Sequence, residues 1–393
     1  MVREADRSQS SNASTEVGNT HNSGSCATSL TKMDQKTYVE GFHDSTQVKK
    51  MTYTQLGNTD MFLSKLALGG GPLGGVYGET AEDECIKTVR TALKSGVNYI
   101  DTSPWYGNGR SEEVLGKALK GLPRQAYYIG TKVGRYEPDV LKMFDFSAKK
   151  TLEGVDKSLK LLGLDYVDVI QVHDLEFAEN TDIIVNETLP ALEKIVKQGK
   201  ARYIGITGYP LYVLKEVVEK SNTKIDMILS YSRNTLFDDT LKEYLPFFQS
   251  KGIGVINACA VAMGLLTDGG VRPWHPASQN LREAAKKAND HCKSNGVDLA
   301  RVAVHHSLAT EGIAAHLMGA NDCDIFLKNL DTVTSAPTEL ELRLIKEVRE
   351  KFFKPIERTH WEDEDPAKYW KNIRQLRGEI PRDPNAGSFF SDF

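Results

Sequence analysis

The fold this sequence predicts is an α/β protein, a closed (β/α)8 (TIM) barrel with an N-terminal β-hairpin and an extra C-terminal helix. Three observations carry that reading. Strand-like and helix-like segments alternate from residue 66 onward, eight such pairs fit into about 260 residues, and polar side chains collect at the carboxyl ends of the strands. Alternation implies right-handed parallel crossovers. The competing architecture, an open doubly wound sheet, would want a G-x-G-x-x-G turn opening straight into a helix. "LGGGPLGGVYG" lacks that spacing, and no acidic residue is placed to hold a ribose.

Taken in order, residues 1–50 are rich in Ser, Thr and Asn and poor in aliphatics, and are expected to be mostly disordered. "TYVEGFHD" within them is the exception and is expected to dock on the surface. The barrel unit is placed at 51–354. It opens with two short runs flanking "GNTD", a hairpin turn, followed by the strand "KLALGGG". "AEDECIKTVRTALKSG" spaces Ile86, Val89 and Leu93 as a helix does and stops at a glycine. The alternation continues through "NYIDTS", "AYYIGTKVG", "YVDVIQVHD", "ARYIGITG", "DMILSYS", "GVINACAVA" and "AHLMGAN" as strands, with helices between them. The stretch 278–312 reads as helix, and "DIFLKNLDTV" as the last helix of the barrel. Residues 355–393 form a C-terminal extension in which "HWEDEDPAKYWKNIRQLRG" is expected to fold over the barrel mouth as a short helix or to bind a partner.

Composition narrows the function classes. A 393-residue chain that is 40% hydrophobic and 26% charged, with a formal net charge of −4, gives no electrostatic reason to expect nucleic acid or an acidic membrane as a partner. No apolar run approaches the roughly 20 residues needed to span a bilayer. The N-terminus lacks the hydrophobic core of a secretion signal, so a cytoplasmic protein is expected, and the Asn-x-Ser/Thr matches at Asn12 and Asn186 are read as chance. Cys26, Cys85, Cys259, Cys292 and Cys323 are scattered without a Cys-x-x-Cys pair, so neither a disulfide framework nor a metal site is expected. His305 and His306 fall in an apolar helical stretch and are read as packing or capping residues.

"NYIDTSPWYGNGR" holds the chemical question. A short apolar strand runs into Asp101, and Tyr106 follows five residues later in a glycine-bearing loop. The next strand ends in Lys132 and the one after in His173. In a barrel all four converge on one mouth. Each alone has a structural explanation: a cap, an ion-pair partner, a loop aromatic, a strand-end histidine. As a set they suit carbonyl reduction. Hydride addition builds charge on the carbonyl oxygen, and a proton donor lowers that barrier. Lys132 beside Tyr106 is expected to lower the phenol's pKa from about 10. Asp101 would hold the buried ammonium in place, and His173 would orient the carbonyl.

At these residues the chain resembles the aldo-keto reductase family. "YIDTSPWYG", "GTKVG", "VHD" and "YIGITGYP" are similar to that family's blocks in the family's order, over roughly residues 51–350. "GITGYPL", "AMGLLTDGG" and "PWHPAS" are most similar to its branch of L-galactose and aldose dehydrogenases. The resemblance implies an oxidoreductase, a nicotinamide cofactor, an aldose or small aldehyde as substrate, and Asp101, Tyr106, Lys132 and His173 as the catalytic tetrad. It implies cofactor contacts at Gly70, Thr207, Gly208, Ser230, Tyr231, Cys259, Val261, Gly264, Gly319, Asn321 and Asn329, with Trp105 and Trp274 walling the substrate pocket. Several of these depart from the family pattern. Thr207-Gly208 stands where Ser-Asn commonly meets the carboxamide, Ser230-Tyr231 where Gln is common, and Cys259-Ala260-Val261 where Ser-Pro-Leu is usual. No Arg or Lys lies between Gly319 and Phe326, while Asp322 and Asp324 would repel a 2′-phosphate. This favours NAD over NADP, with Lys328 leaving NADP open. A monomer or homodimer is expected. The alternative is a cofactor-sensing regulatory protein on the same barrel.

Overall fold

The computed structural model describes residues 35–381. Two strands, β1 (Tyr53–Gln55) and β2 (Phe62–Ser64), form an antiparallel hairpin. Eight parallel strands follow: β3 (Leu66–Gly69), β4 (Tyr99–Asp101), β5 (Tyr128–Val133), β6 (Val167–Val172), β7 (Ala201–Gly208), β8 (Met227–Tyr231), β9 (Gly254–Ala258) and β10 (Ala315–Gly319). They close in sequence order, β10 pairing back onto β3 with Met318 opposite Leu68.

The helices are α1 (Glu82–Lys94), α2 (Arg110–Leu119), α3 (Ala148–Leu162), α4 (Leu189–Lys197), α5 (Leu211–Lys220), α6 (Leu241–Ser250), α7 (Gln279–Ser294), α8 (Leu299–Leu308), α9 (Cys323–Thr334), α10 (Glu339–Val348) and α11 (Glu364–Leu376). Local chemistry sets their ends. Helix α1 begins with Glu82, Asp83 and Glu84 and ends near Lys94, charges that complement its dipole. In α3 the Ser147 hydroxyl accepts from the Lys150 N–H, and Gly163 closes the helix at φ +65°. The single helix expected over 278–312 is two, because Asn295–Gly296 ends α7 with Gly296 at φ +72° and Asp298 caps α8. Helix α10, capped by a reciprocal Thr338–Glu341 pair, was not expected.

Two layers of core position the mouth. Strand residues facing outward, such as Ile100, Ile129, Ile170, Ile206 and Ile228, pack under the helices. Inward residues Ala67, Tyr99, Tyr128, Val169, Met227 and Ile256 pack with Leu56, Met61 and Leu63 of the hairpin, which plugs the end opposite the mouth. The plug sits so tightly that a Cβ on Gly254 would lie 2.5 Å from the Leu56 side chain. From the tail, residues 1–34 lie outside the described residues, while Gln35 and Thr37 are buried and Val39 and Phe42 pack on the main core. At the other end α11 buries Tyr369 and Ile373 against Trp105, Met143 and Phe177. No described helix is long and apolar enough to cross a membrane.

Candidate active site

Barrel register brings the four residues together. Asp101 ends β4, Lys132 lies near the end of β5, and His173 follows β6. The Lys132 ammonium is in direct contact with Asp101 Oδ1, donates to the Thr102 carbonyl at 2.9 Å, and stands 3.5 Å from the Tyr106 hydroxyl. Both Asp101 and Lys132 are essentially fully buried. Asp101 Oδ2 also accepts from Gln171 Nε2 at 2.6 Å and from the Tyr99 hydroxyl at 3.2 Å. A buried carboxylate held by this many donors fixes the lysine in place. The His173 ring meets the Tyr106 ring edge-on at 5.9 Å, and its Nδ1 is held by the Ser103 hydroxyl at 2.9 Å.

Glycines hold Tyr106 in place. Gly107 has φ +65°, and a Cβ there would lie 2.2 Å from the Gly74 carbonyl oxygen. A Cβ on Gly74 would lie 2.4 Å from the Tyr106 carbonyl oxygen. The first loop of the barrel therefore presses backbone to backbone on the tyrosine loop, a contact no side chain permits.

The electrostatics correct one expectation. Burial, and then the Asp101 charge, hold the Tyr106 phenol well above its usual value rather than below it. The lysine's field is spent on the carboxylate it touches. Tyr106 is thus a protonated donor. Burial pushes His173 down to about 3, so the imidazole is neutral at pH 7.

The mouth opens into a cavity of about 420 Å³ lined by all four residues, and its wall also takes in Trp105, Thr207, Tyr231, Cys259, Trp274 and Gly319. Ser230 is fully buried at the end of β8, and its hydroxyl and that of Ser232 have no hydrogen-bond partner among the described residues. Gly70 does not face the cavity. Its N–H donates to the Asp101 carbonyl at 2.7 Å, and a Cβ there would meet the Ser111 hydroxyl at 2.7 Å; its neighbours Gly69 and Gly71 line the wall instead. The Gly264 N–H donates within its own loop to the Val261 carbonyl at 3.1 Å. Asn321 carries the carbonyl facing Cys85 Sγ, and Asn329 Nδ2 lies 3.5 Å from the Gly319 carbonyl.

Sequence reasoning missed several residues here. Arg135 lies over the Trp105 ring at 4.1 Å and pairs with Asp174 at 2.7 Å; Asp174 in turn stands 3.5 Å from His173 Nε2. Trp361, in the C-terminal extension, stacks on Tyr209 at 4.9 Å and donates its backbone N–H to the Tyr209 hydroxyl. Buried Arg233 reaches Glu362 at 2.6 Å, clamping the same segment over the mouth. These pairs join segments far apart in the chain, so no local spacing announces them. After β9, Cys259, Ala262 and Met263 all take positive φ, the strain that often marks a ligand-facing loop. Among the described residues no group of three His, Cys, Asp or Glu side chains is arranged to hold a metal. His305 packs beside Glu341, and His306 beside Asp239 and Arg349.

A closed parallel barrel whose mouth holds a Tyr, a Lys–Asp pair and a neutral His carries groups suited to carbonyl oxidoreduction, and comparison with known proteins places the chain among oxidoreductases. The aldo/keto reductase family model matches residues 65–350, and the chain belongs to that family, whose members use NAD(P)H. It is 42% identical to L-galactose dehydrogenase of Arabidopsis thaliana over 316 residues, 79% of this chain and 97% of that protein. It is 30% identical to D-arabinose 1-dehydrogenase of Saccharomyces cerevisiae, covering 76% and 93%. An aldo-keto reductase of Bacillus halodurans in its holo form superposes with a TM-score of 0.63 at 29% identity, covering 76% of this chain and 96% of that one.

Proposed function

We propose that this protein is an aldose dehydrogenase, moving a hydride between NAD and the carbonyl/alcohol carbon of a sugar, with Tyr106 as the general acid/base. The observation that carries the reading is the Tyr106 hydroxyl, 3.5 Å from an ammonium that is itself locked to a buried carboxylate, at the floor of a largely apolar cavity into which a few charged side chains project. Substrate oxygen sits between the Tyr106 hydroxyl and neutral His173. His173 orients that oxygen, and Tyr106 gives it a proton in reduction; in oxidation the phenol must first lose its own proton before it can take the substrate's. When bound, the nicotinamide supplies or accepts the hydride.

Thr207 and the Tyr231 ring, which line the cavity, fit the nicotinamide end of such a cofactor, and the unpartnered Ser230 hydroxyl is buried beside Tyr231 at the end of β8. Cys259, Val261 and Gly264 belong to the loop that would follow the pyrophosphate, with Gly319, Asn321 and Asn329 towards adenosine. NAD rather than NADP is favoured by Asp322, whose carboxylate already caps α9 at the Ile325 N–H, and by Asp324 in the first turn. An aldose is favoured by the wall itself. Arg135 and Asp174 offer fixed donors and acceptors for hydroxyls, while Trp105, Trp274 and Trp361 offer ring faces. The relatives named for L-galactose and D-arabinose point the same way.

The test is direct. Purified protein is titrated with NADH and NADPH, then assayed on a panel of aldoses and simple aldehydes. Tighter NADH binding with NAD-dependent oxidation of an aldose is expected. Cofactor binding without turnover across the panel would overturn the enzyme reading, and a preference for NADPH would overturn the cofactor choice.

A further inference from the structure

Gly208 and Glu176 make one feature. Glu176 lies in the loop after β6, and its Oε1 accepts the Tyr209 backbone N–H at 3.0 Å. That bond locks the carboxyl, and its second oxygen, Oε2, is buried with no partner among the described residues. Oε2 occupies the place that a side chain at 208 would take: a Cβ on Gly208 would lie 2.6 Å from it. Strand β7 thus ends without a side chain at this point, and the neighbouring loop fills the space with a carboxyl at the cavity wall.

We propose that Glu176 is a positioning residue for the cofactor, its carboxyl binding the nicotinamide carboxamide in place of a side chain at residue 208. The proposal rests on the nicotinamide reading above and names the group that replaces a missing contact. With Oε1 engaged by the Tyr209 N–H, a carboxyl that keeps its proton presents Oε2 as a hydroxyl donor, the counterpart of the N–H that an amide side chain would offer to a carboxamide oxygen. The surroundings favour that form. Burial, and then the charge of Asp174, push Glu176 up to about 8, against the Tyr209 N–H and the more distant Arg135. From α5, Tyr212 also faces it. Substrate hydroxyls have a separate set of partners, since Asp174 and Arg135 stand beside His173.

The experiment measures dissociation constants by NADH fluorescence at pH 7 for the wild type, E176A, E176Q, G208N and E176A/G208N, with melting temperatures to show that each variant folds. The same set is measured with the reduced 3-acetylpyridine analogue, in which a methyl replaces the carboxamide nitrogen. Expected results are a loss of ~10-fold in E176A, about one hydrogen bond's worth, and near-normal binding in E176Q. G208N alone should weaken binding by displacing Glu176, and E176A/G208N should recover affinity relative to E176A. Because the analogue keeps the oxygen that Oε2 would donate to, E176A should weaken NADH and the analogue by similar factors. A folded E176A that binds NADH normally, or that loses affinity for NADH alone, overturns the proposal. A change in sugar KM with unchanged cofactor binding also overturns it and moves Glu176 to the substrate side. A wild type that binds neither nicotinamide nucleotide would instead refute the reading on which the proposal rests.

Discussion

The two ends of the cavity differ in how completely they are finished. At the Asp101 end each charge has its counterpart: the ammonium meets a carboxylate and a carbonyl, the carboxylate also meets an amide and a phenol, and the imidazole meets a hydroxyl. At the β7–β8 end, Ser230 Oγ, Ser232 Oγ and Glu176 Oε2 are buried without partners among the described residues. A buried polar group left unsatisfied costs about 1–3 kcal/mol, so the second end is the less stable of the two as it stands. On the function proposed above, the first end serves chemistry and the second binding. The difference teaches that charges must be neutralised in the folded protein, whereas hydroxyls are cheap enough to be left waiting.

Three substitutions sharpen or break that contrast. Tyr106→Phe removes the proton donor, and turnover should fall by ~10³-fold while the NADH dissociation constant stays the same. Retained turnover would remove Tyr106 from the chemistry. Lys132→Met leaves Asp101 buried without its cation and should cost about 3–5 kcal/mol of stability in denaturant unfolding. The double variant D101N/K132M should regain part of that loss, because no lone charge remains. If K132M unfolds like the wild type, the first end is not held by its ion pair. Ser230→Ala should be the smallest and should have the opposite sign in stability. Removing an unpartnered hydroxyl leaves the melting temperature unchanged or higher, yet weakens NADH binding by ~3- to 10-fold. A lower melting temperature with unchanged binding would mean that the hydroxyl is structural.

The Tyr106 loop shows why part of this was legible from the chain and part was not. Asp101, Lys132 and His173 lie at or beside the ends of successive strands, and once β–α alternation is recognised, barrel closure brings strand ends together. The direction of the Tyr106 pKa was misjudged because it depends on a distance. A lysine near a phenol lowers its pKa only if its charge is free, and here Asp101 is in contact with it. The Gly208 departure, read from sequence as a lost contact, is a place taken by Glu176 from 32 positions earlier in the chain.

Sequence by itself determined the barrel, its family, the N-terminal hairpin and the four residues at the strand ends, because periodicity, motif order and strand-end position are local properties that closure converts into geometry. Only the tertiary structure decided which glycines face the cavity, that Arg135 pairs with Asp174 beside His173, and that Trp361 and Glu362 strap the C-terminal segment to Tyr209 and Arg233. Those contacts join segments 39 to 152 residues apart, and their energy comes from burial, which no local pattern encodes.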